Sequence, residues 1–387
     1  MSCDEVFLHI KGKNNMREIG FWDYTCPGNG SLERYTHDDW EILLDDMAEG
    51  GFNSFVLCVK WLTTGYRSRH AWLDQDENCT AIASNNALIH QALQGARSRG
   101  LKTWLLVVCT QFEASAFNLQ PCTHGWGPED KTIAYYDLDC PGLGERVEAL
   151  FQEVTELFGA ESDGLVVEME FCDSDSPHRI PLYNEWAKRN GRPDYATIKN
   201  ITLEPRSYPF THWRDFTTSR RIEMLKRIEQ VVRQSGFMGS MATLSELLTD
   251  PMIVMGNQNF TMLREALPEV SLVTYDSRYD RRVHRLATMD MCVQSPREAG
   301  FEVNYLTRGV MTFDAVPWLP PTNLPEQWRM ELEDASMYRP DRLWFMGSDT
   351  RVHSPVCSPL DLPKWGFENG REARLHLMRM AREAGLT

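Results

Sequence analysis

The stretch Asp163-Gly164-Leu165-Val166-Val167-Glu168-Met169-Glu170-Phe171 reads as a buried β-strand that runs into two carboxylates at its C-terminal end. Side chains alternate along a strand, so Glu168 and Glu170 fall on one face, about 6–7 Å apart along the chain. A strand of Leu and Val does not end in two acids on one face unless something compensates them. Two carboxylates at that separation, partly dried, are suited to acid–base chemistry.

Outward from this strand, short β-rich runs alternate with amphipathic helices. Upstream, strand one is Glu18 to Trp22, strand two Ser54 to Val59 and strand three Thr103 to Cys109. The first helix starts near Thr36, an N-cap residue with Asp39 three positions on, and Gly50-Gly51 stop it. A second helix covers Asn86 to Arg99, and a third carries Val147, Leu150, Phe151, Val154 and Leu157 on one face. Downstream, helix four spans Thr218 to Gln234, strand five Met238 to Thr243 and helix five Asn259 to Leu267. Strand six is Ser271 to Tyr275, with a helix near Arg282 to Met291. Strand seven is either Glu302 to Tyr305 or Val310 to Phe313; helix seven runs from Pro325 to Tyr338, strand eight from Arg342 to Met346, and helix eight from Gly370 to Ala384.

Eight such units without a low-complexity linker predict an α/β protein, a single (β/α)8 TIM barrel over residues 1–387. The alternative is an open doubly wound sheet, but no Gly-rich fingerprint follows the first strand. One connection is unusually long. Residues 172–217 form a long βα-loop insertion after strand four, expected over the active-site face and rich in aromatics such as Trp186, Tyr195 and Trp213.

The formal charge of −15 argues against nucleic-acid binding and against an anionic membrane surface. The ten cysteines form no C-x-x-C pair, and several sit within apolar runs, as expected of reduced, buried thiols. With no signal-peptide pattern and no apolar run near the ~20 residues that span a bilayer, the expected compartment is the cytoplasm.

In a barrel the functional residues gather where strands end. The strand ends offer Trp22 and Asp23, Lys60 and Trp61, Gln111, Tyr275 and Asp276, Asn304 and Arg308, and Trp344 and Asp349. Aromatics mixed with carboxylates and amides suit a sugar, because ring faces cover C–H groups while polar side chains bind hydroxyls. The expected partner is therefore a carbohydrate substrate. No cofactor or metal is implied, and oligomeric state is not legible.

The segment Asp163 to Glu170 resembles the fourth strand of chitinase-type and N-acetylhexosaminidase-type glycoside hydrolases, with the pattern D-G-x-D-x-D-x-E. The resemblance places Glu170 at the catalytic acid and Glu168 at the aspartate that orients an N-acetyl group. Val166 replaces the first buried aspartate. Val273-Thr274-Tyr275-Asp276 is similar to that family's sixth-strand Met-x-Tyr-Asp. Other barrel glycosidases with a fourth-strand glutamate often carry a strand-seven nucleophile. The one glutamate near strand seven here, Glu302, lies at the strand's start and so falls at the wrong end.

Glycoside hydrolysis uses a protonated acid and a second carboxylate. Burial and the neighbouring charge of Glu168 would raise the pKa of Glu170, which makes Glu170 the expected general acid. Asp276 is the candidate base or nucleophile across the mouth. On the bland reading Glu168 and Glu170 are a salt-bridged pair held by Lys60, Arg308 or a loop arginine. Two other functions use the same barrel: a metal-dependent sugar isomerase, epimerase or aldolase, and a non-catalytic carbohydrate-binding barrel. No H-x-H or H-E-x-x-H spacing favours the first.

Overall fold

The computed structural model describes residues 16–26, 32–73, 75–113, 123–124, 133–136, 138–169, 178–199, 208–246, 259–275, 289–310, 312–313, 324–349, 357–358 and 362–387. The chain folds into a closed (β/α)8 barrel. Its strands are β1 (Glu18–Tyr24), β2 (Ser54–Lys60), β3 (Lys102–Val108), β4 (Gly164–Glu168), β5 (Ser240–Glu246), β6 (Ser271–Tyr275), β7 (Val303–Arg308) and β8 (Arg342–Met346). Every neighbouring pair is parallel, and β8 returns to β1 to close the ring.

The principal helices are α1 (His37–Gly50), α2 (Ala87–Ser98), α3 (Leu143–Phe158), α4 (Tyr208–Gln234), α5 (Phe260–Ala266), α6 (Ser295–Glu298), α7 (Leu324–Tyr338) and α8 (Gly370–Glu383). Thr36 and Asp39 form the expected capping box on α1, and Gly51 ends that helix at φ 81. A π-helical turn, Asp290–Gln294, runs into α6; most of the helix expected at 282–291 lies outside the described residues. Among the described residues no helix is long and apolar enough to cross a membrane.

Several elements differ from their sequence readings; β1 runs on to Tyr24, and β4 ends at Glu168. β5 continues to Glu246 instead of stopping at Thr243. β7 takes up the first of the two runs considered for strand seven, starting at Val303 and continuing past Tyr305 to Arg308. α4 begins at Tyr208, ten residues ahead of Thr218, and the described parts of the long connection hold two further helices, Arg179–Arg189 and Tyr195–Ile198. Tertiary packing supplies the reason: Tyr183, Ala187, Ile198 and Phe216 form a small core of their own, with Trp186, Tyr195 and Trp213 against it. Isolated short helices are marginal in water, so such packing decides whether the turns form. Buried Arg179 locks the unit down, pairing with Asp139 at 3.2 Å and lying over Trp213.

The strands sort their side chains into two layers. One set, including Phe21, Phe55, Leu105 and Leu343, packs against the helices. The alternate set, including Trp22, Val56, Trp104, Val166, Ala242, Val273, Leu306 and Trp344, fills the lumen. Three indoles occupy that lumen, with Trp344 5.9 Å from Trp22 and 5.5 Å from Trp104. Glycine makes the room. A Cβ on Gly164 would lie 2.1 Å from the Trp104 ring, and one on Gly20 would lie 1.6 Å from the Ser54 carbonyl oxygen. The N-terminal end of the barrel is closed by polar groups. Arg342 pairs with Glu18 at 3.0 Å and lies over Trp104, while Trp104 and Ser54 donate to Glu18. The lumen beneath the mouth is thus packed, which leaves the C-terminal face as the place in the barrel for a site.

Candidate active site

Glu168 is the last residue of β4 and is 5% exposed. It pairs in register with Val108 of β3. The next residue, Cys109, donates its amide and its thiol to the Glu168 carbonyl, at 3.0 and 3.2 Å. The two strand ends are therefore stitched together where the carboxylate emerges.

Lys60 ends β2 just after an irregularity in the β2–β3 register. It is fully buried. Its ammonium donates to the carbonyls of Val108 at 2.7 Å and Gln111 at 2.5 Å, and it stands 3.6 Å from the centre of the Phe112 ring. Burial pulls its pKa down to about 7, against the charges of Cys109, Cys26, Cys58 and Glu168, which work to raise it. Burial likewise pushes the Cys109 thiol up to about 12. Arg221 of α4, 2% exposed, acts on the same thiol in the opposite sense.

The wall above β2 and β3 is fixed by a buried carboxylate on α3. Glu153 accepts from the Tyr66 hydroxyl at 2.8 Å, the Ser68 hydroxyl at 2.5 Å and the Arg69 amide at 2.6 Å. This holds the connection after β2, where Trp72 packs on Phe112, and Phe112 packs in turn on Tyr136. Gln111 opens a small antiparallel sheet in which Gln111–Glu113 pairs with Ile133–Tyr135.

The expected site residues separate by position. Glu168, Lys60, Gln111 and Trp61 gather at the C-terminal ends of β2, β3 and β4; Trp61 is buried in the lumen cluster with Tyr24 and Leu62. Tyr275 and Arg308 end β6 and β7, in register with Leu306 and Met346; their side chains, like Glu170 and Asp276 entire, lie outside the described residues.

Of the others, Asn304, Trp22 and Trp344 lie below the mouth, while Asp23 and Asp349 stand at the C-terminal ends of β1 and β8 with their contacts to Ser348 and Tyr35 on the helix side. Asn304 is the second residue of β7 and sits at the opposite end, accepting from Arg342 at 2.9 Å and donating to Ser271. Trp344 is central in the lumen and donates to Ser54. Trp22 lies below Tyr24, whose hydroxyl accepts from its indole. Asp23 has the strand parity of Ile19 and Phe21, which face the helices, and it accepts from the Ser348 amide. Asp349 is turned toward α8: it takes the Tyr35 hydroxyl at 2.6 Å and lies against Gly370. Glu302 is at the far end of β7, paired with Arg17 and Arg342.

Sequence reasoning passed over Glu246. It is the final residue of β5, with its backbone in register with Tyr275. The signal was present in Ala242, Leu244 and Glu246 at two-residue spacing. Among the described residues no group of three or more His, Cys, Asp or Glu side chains could hold a metal ion.

No family model and no curated protein matches the sequence. Solved structures do match the fold. A β-galactosidase from the psychrophilic Marinomonas ef1 superposes on 95% of this chain with a TM-score of 0.63 and 11% identity; the chain spans 59% of that protein's length. The PgaB (BpsB) glycoside hydrolase domain from Bordetella bronchiseptica matches 86% of this chain and 94% of its own, with a TM-score of 0.56 and 13% identity. An endocellulase from Pyrococcus horikoshii, solved with cellotetraose, matches 94% of this chain and 92% of its own, with a TM-score of 0.51 and 11% identity. At these identities the likeness is one of fold, and this chain's barrel is one it shares with solved glycoside hydrolases.

Proposed function

We propose that this chain is a glycoside hydrolase that cleaves a glycosidic bond by carboxylate acid–base catalysis at the C-terminal mouth of the barrel. The observation that carries the reading is Glu168: a buried carboxylate at the end of β4, above a packed lumen, in a fold shared with glycosidases. Glu170, two residues further on, is the general acid. Glu168 is its electrostatic partner, staying ionised or sharing the proton with Glu170 as a coupled pair. Asp276, following β6, supplies the second carboxylate as base or nucleophile. On a substrate bearing an N-acetyl group, the resemblance to chitinase-type enzymes assigns the attack to the substrate's own carbonyl, with Glu168 or Asp276 orienting it. The helical insertion after β4 forms one wall of the sugar site.

A screen of chromogenic glycosides that includes β-galactosides, β-glucosides, N-acetylhexosaminides and uronides is expected to yield a substrate. Glu170→Gln then lowers turnover by about 10²–10⁴-fold while sugar binding persists, as expected for loss of a general acid. Unchanged turnover in that variant refutes the assignment. Activity abolished by a chelator and restored by a divalent ion would favour the isomerase or aldolase class instead.

A further inference from the structure

We propose that Lys60 is a positioning residue for Glu168, and not a sugar-binding one: its ammonium ties the ends of β2 and β3 together beside the strand end that presents that carboxylate. The proposal rests on the reading above, in which the β4 carboxylates perform the chemistry.

An ammonium has three N–H donors and no acceptor. The carbonyls of Val108 and Gln111 and the face of Phe112 occupy its three directions. The side chain has no exposed surface, so a sugar hydroxyl would reach the nitrogen only by displacing one of those partners. Val108 is the register partner of Glu168, and Cys109 is bonded to the Glu168 carbonyl. Two short links thus join the Lys60 nitrogen to the backbone that presents the carboxylate. A buried cation also requires an answering charge. Among the described residues, Glu168 from β4, Cys58 of β2, Cys26 beyond β1 and Cys109 beyond β3 act on its charge. Glu168 is the carboxylate among them. Lys60 and Glu168 therefore act on each other electrostatically, and Lys60 favours the anionic form of Glu168 without touching the sugar.

Two experiments test this on the full chain. In the first, pH–rate profiles are compared for Lys60→Met and Lys60→Arg. Lys60→Met is expected to lower kcat at least tenfold with KM changed less than twofold, and to move the acid limb of the profile upward by about one pH unit or more. Lys60→Arg keeps the charge and is expected to return the limb toward its original position. A raised KM with unchanged kcat, or a lowered Tm with unchanged kinetics, overturns the proposal.

The second experiment does not depend on turnover or on the folding of a Lys60 variant. Lysine side chains labelled with 13C and 15N are titrated by NMR in the wild type and in Glu168→Gln. The Lys60 midpoint is expected near neutral pH in the wild type and lower in the variant, since removing the anion removes support for the ammonium. A midpoint that does not move overturns the proposal whatever the activity. A midpoint that moves in a protein hydrolysing no glycoside leaves the coupling standing and removes the hydrolase reading.

Discussion

At the scale of single residues, buried charge organises the mouth. Glu153 gathers three donors from one connection, so each bond is charge-assisted and shielded from water. Tyr66→Phe removes one of them and is expected to lower stability by about 1.5–3 kcal/mol, measurable by urea denaturation. A loss below about 0.5 kcal/mol would show that the carboxylate finds another donor. The residues at this scale were legible unevenly. Glu168 could be found because an acid ending a Leu-Val-Val run is chemically conspicuous. Asn304 was misplaced along its strand because β7 runs on to Arg308, and a strand's length must be known before its ends are; Trp344 stands mid-strand in a β8 whose bounds were read correctly. Asp23 could not be assigned a side because alternation fixes one only once the register is known, and Asp349 lies three residues past β8, where alternation no longer applies. Composition has no access to that parity.

At the scale of elements, the lumen is built by pairing small residues with large ones. Gly164 on β4 faces the Trp104 indole on β3, and a methyl group there would collide with the ring. Gly164→Ala is expected to cost about 1–3 kcal/mol, as overpacked cores do. Trp104→Phe in the same chain should recover part of that loss, and a double-mutant cycle measured by thermal melts checks the coupling. Additive effects would mean that the ring moves aside freely. Strands six and eight and the cap of α1 could be read from sequence because local signals coincide with tertiary need there. The early start of α4 could not, since its first turns form against Tyr183 and Trp186 from a distant stretch.

At the scale of the molecule, the ring is closed twice between its first and last units. β1 pairs with β8, and Asp46 of α1 is held by Arg371 and Arg374 of α8 at 2.9 and 2.6 Å. Burial works to raise the Asp46 carboxyl, but the hydrogen bonds and charges of the two arginines outweigh it, so its pKa lies below the usual carboxylate value. Because the folded pKa is the lower one, the contribution is complete above the unfolded pKa of about 3.9 and is lost as pH falls through the folded value. Asp46→Asn is expected to cost about 3–5 kcal/mol at neutral pH, since it leaves the buried Arg374 without its anion. The gap from wild type should shrink on acidification below pH 4. A gap independent of pH would mean that the pair contributes shape and not charge.

The same closure governs how the protein comes into being. Each strand from β2 to β7 finds a neighbour in the unit made just before it, but β1 waits for Met346 to be synthesised before its second edge is covered. Throughout translation the nascent sheet therefore keeps two open edges, the kind of surface on which chains misassociate. Completion is abrupt, set by the arrival of the eighth unit. A ribosome-bound intermediate lacking that unit should be a client for chaperones that shield unpaired strands, and release of the eighth unit is the event that frees it from them.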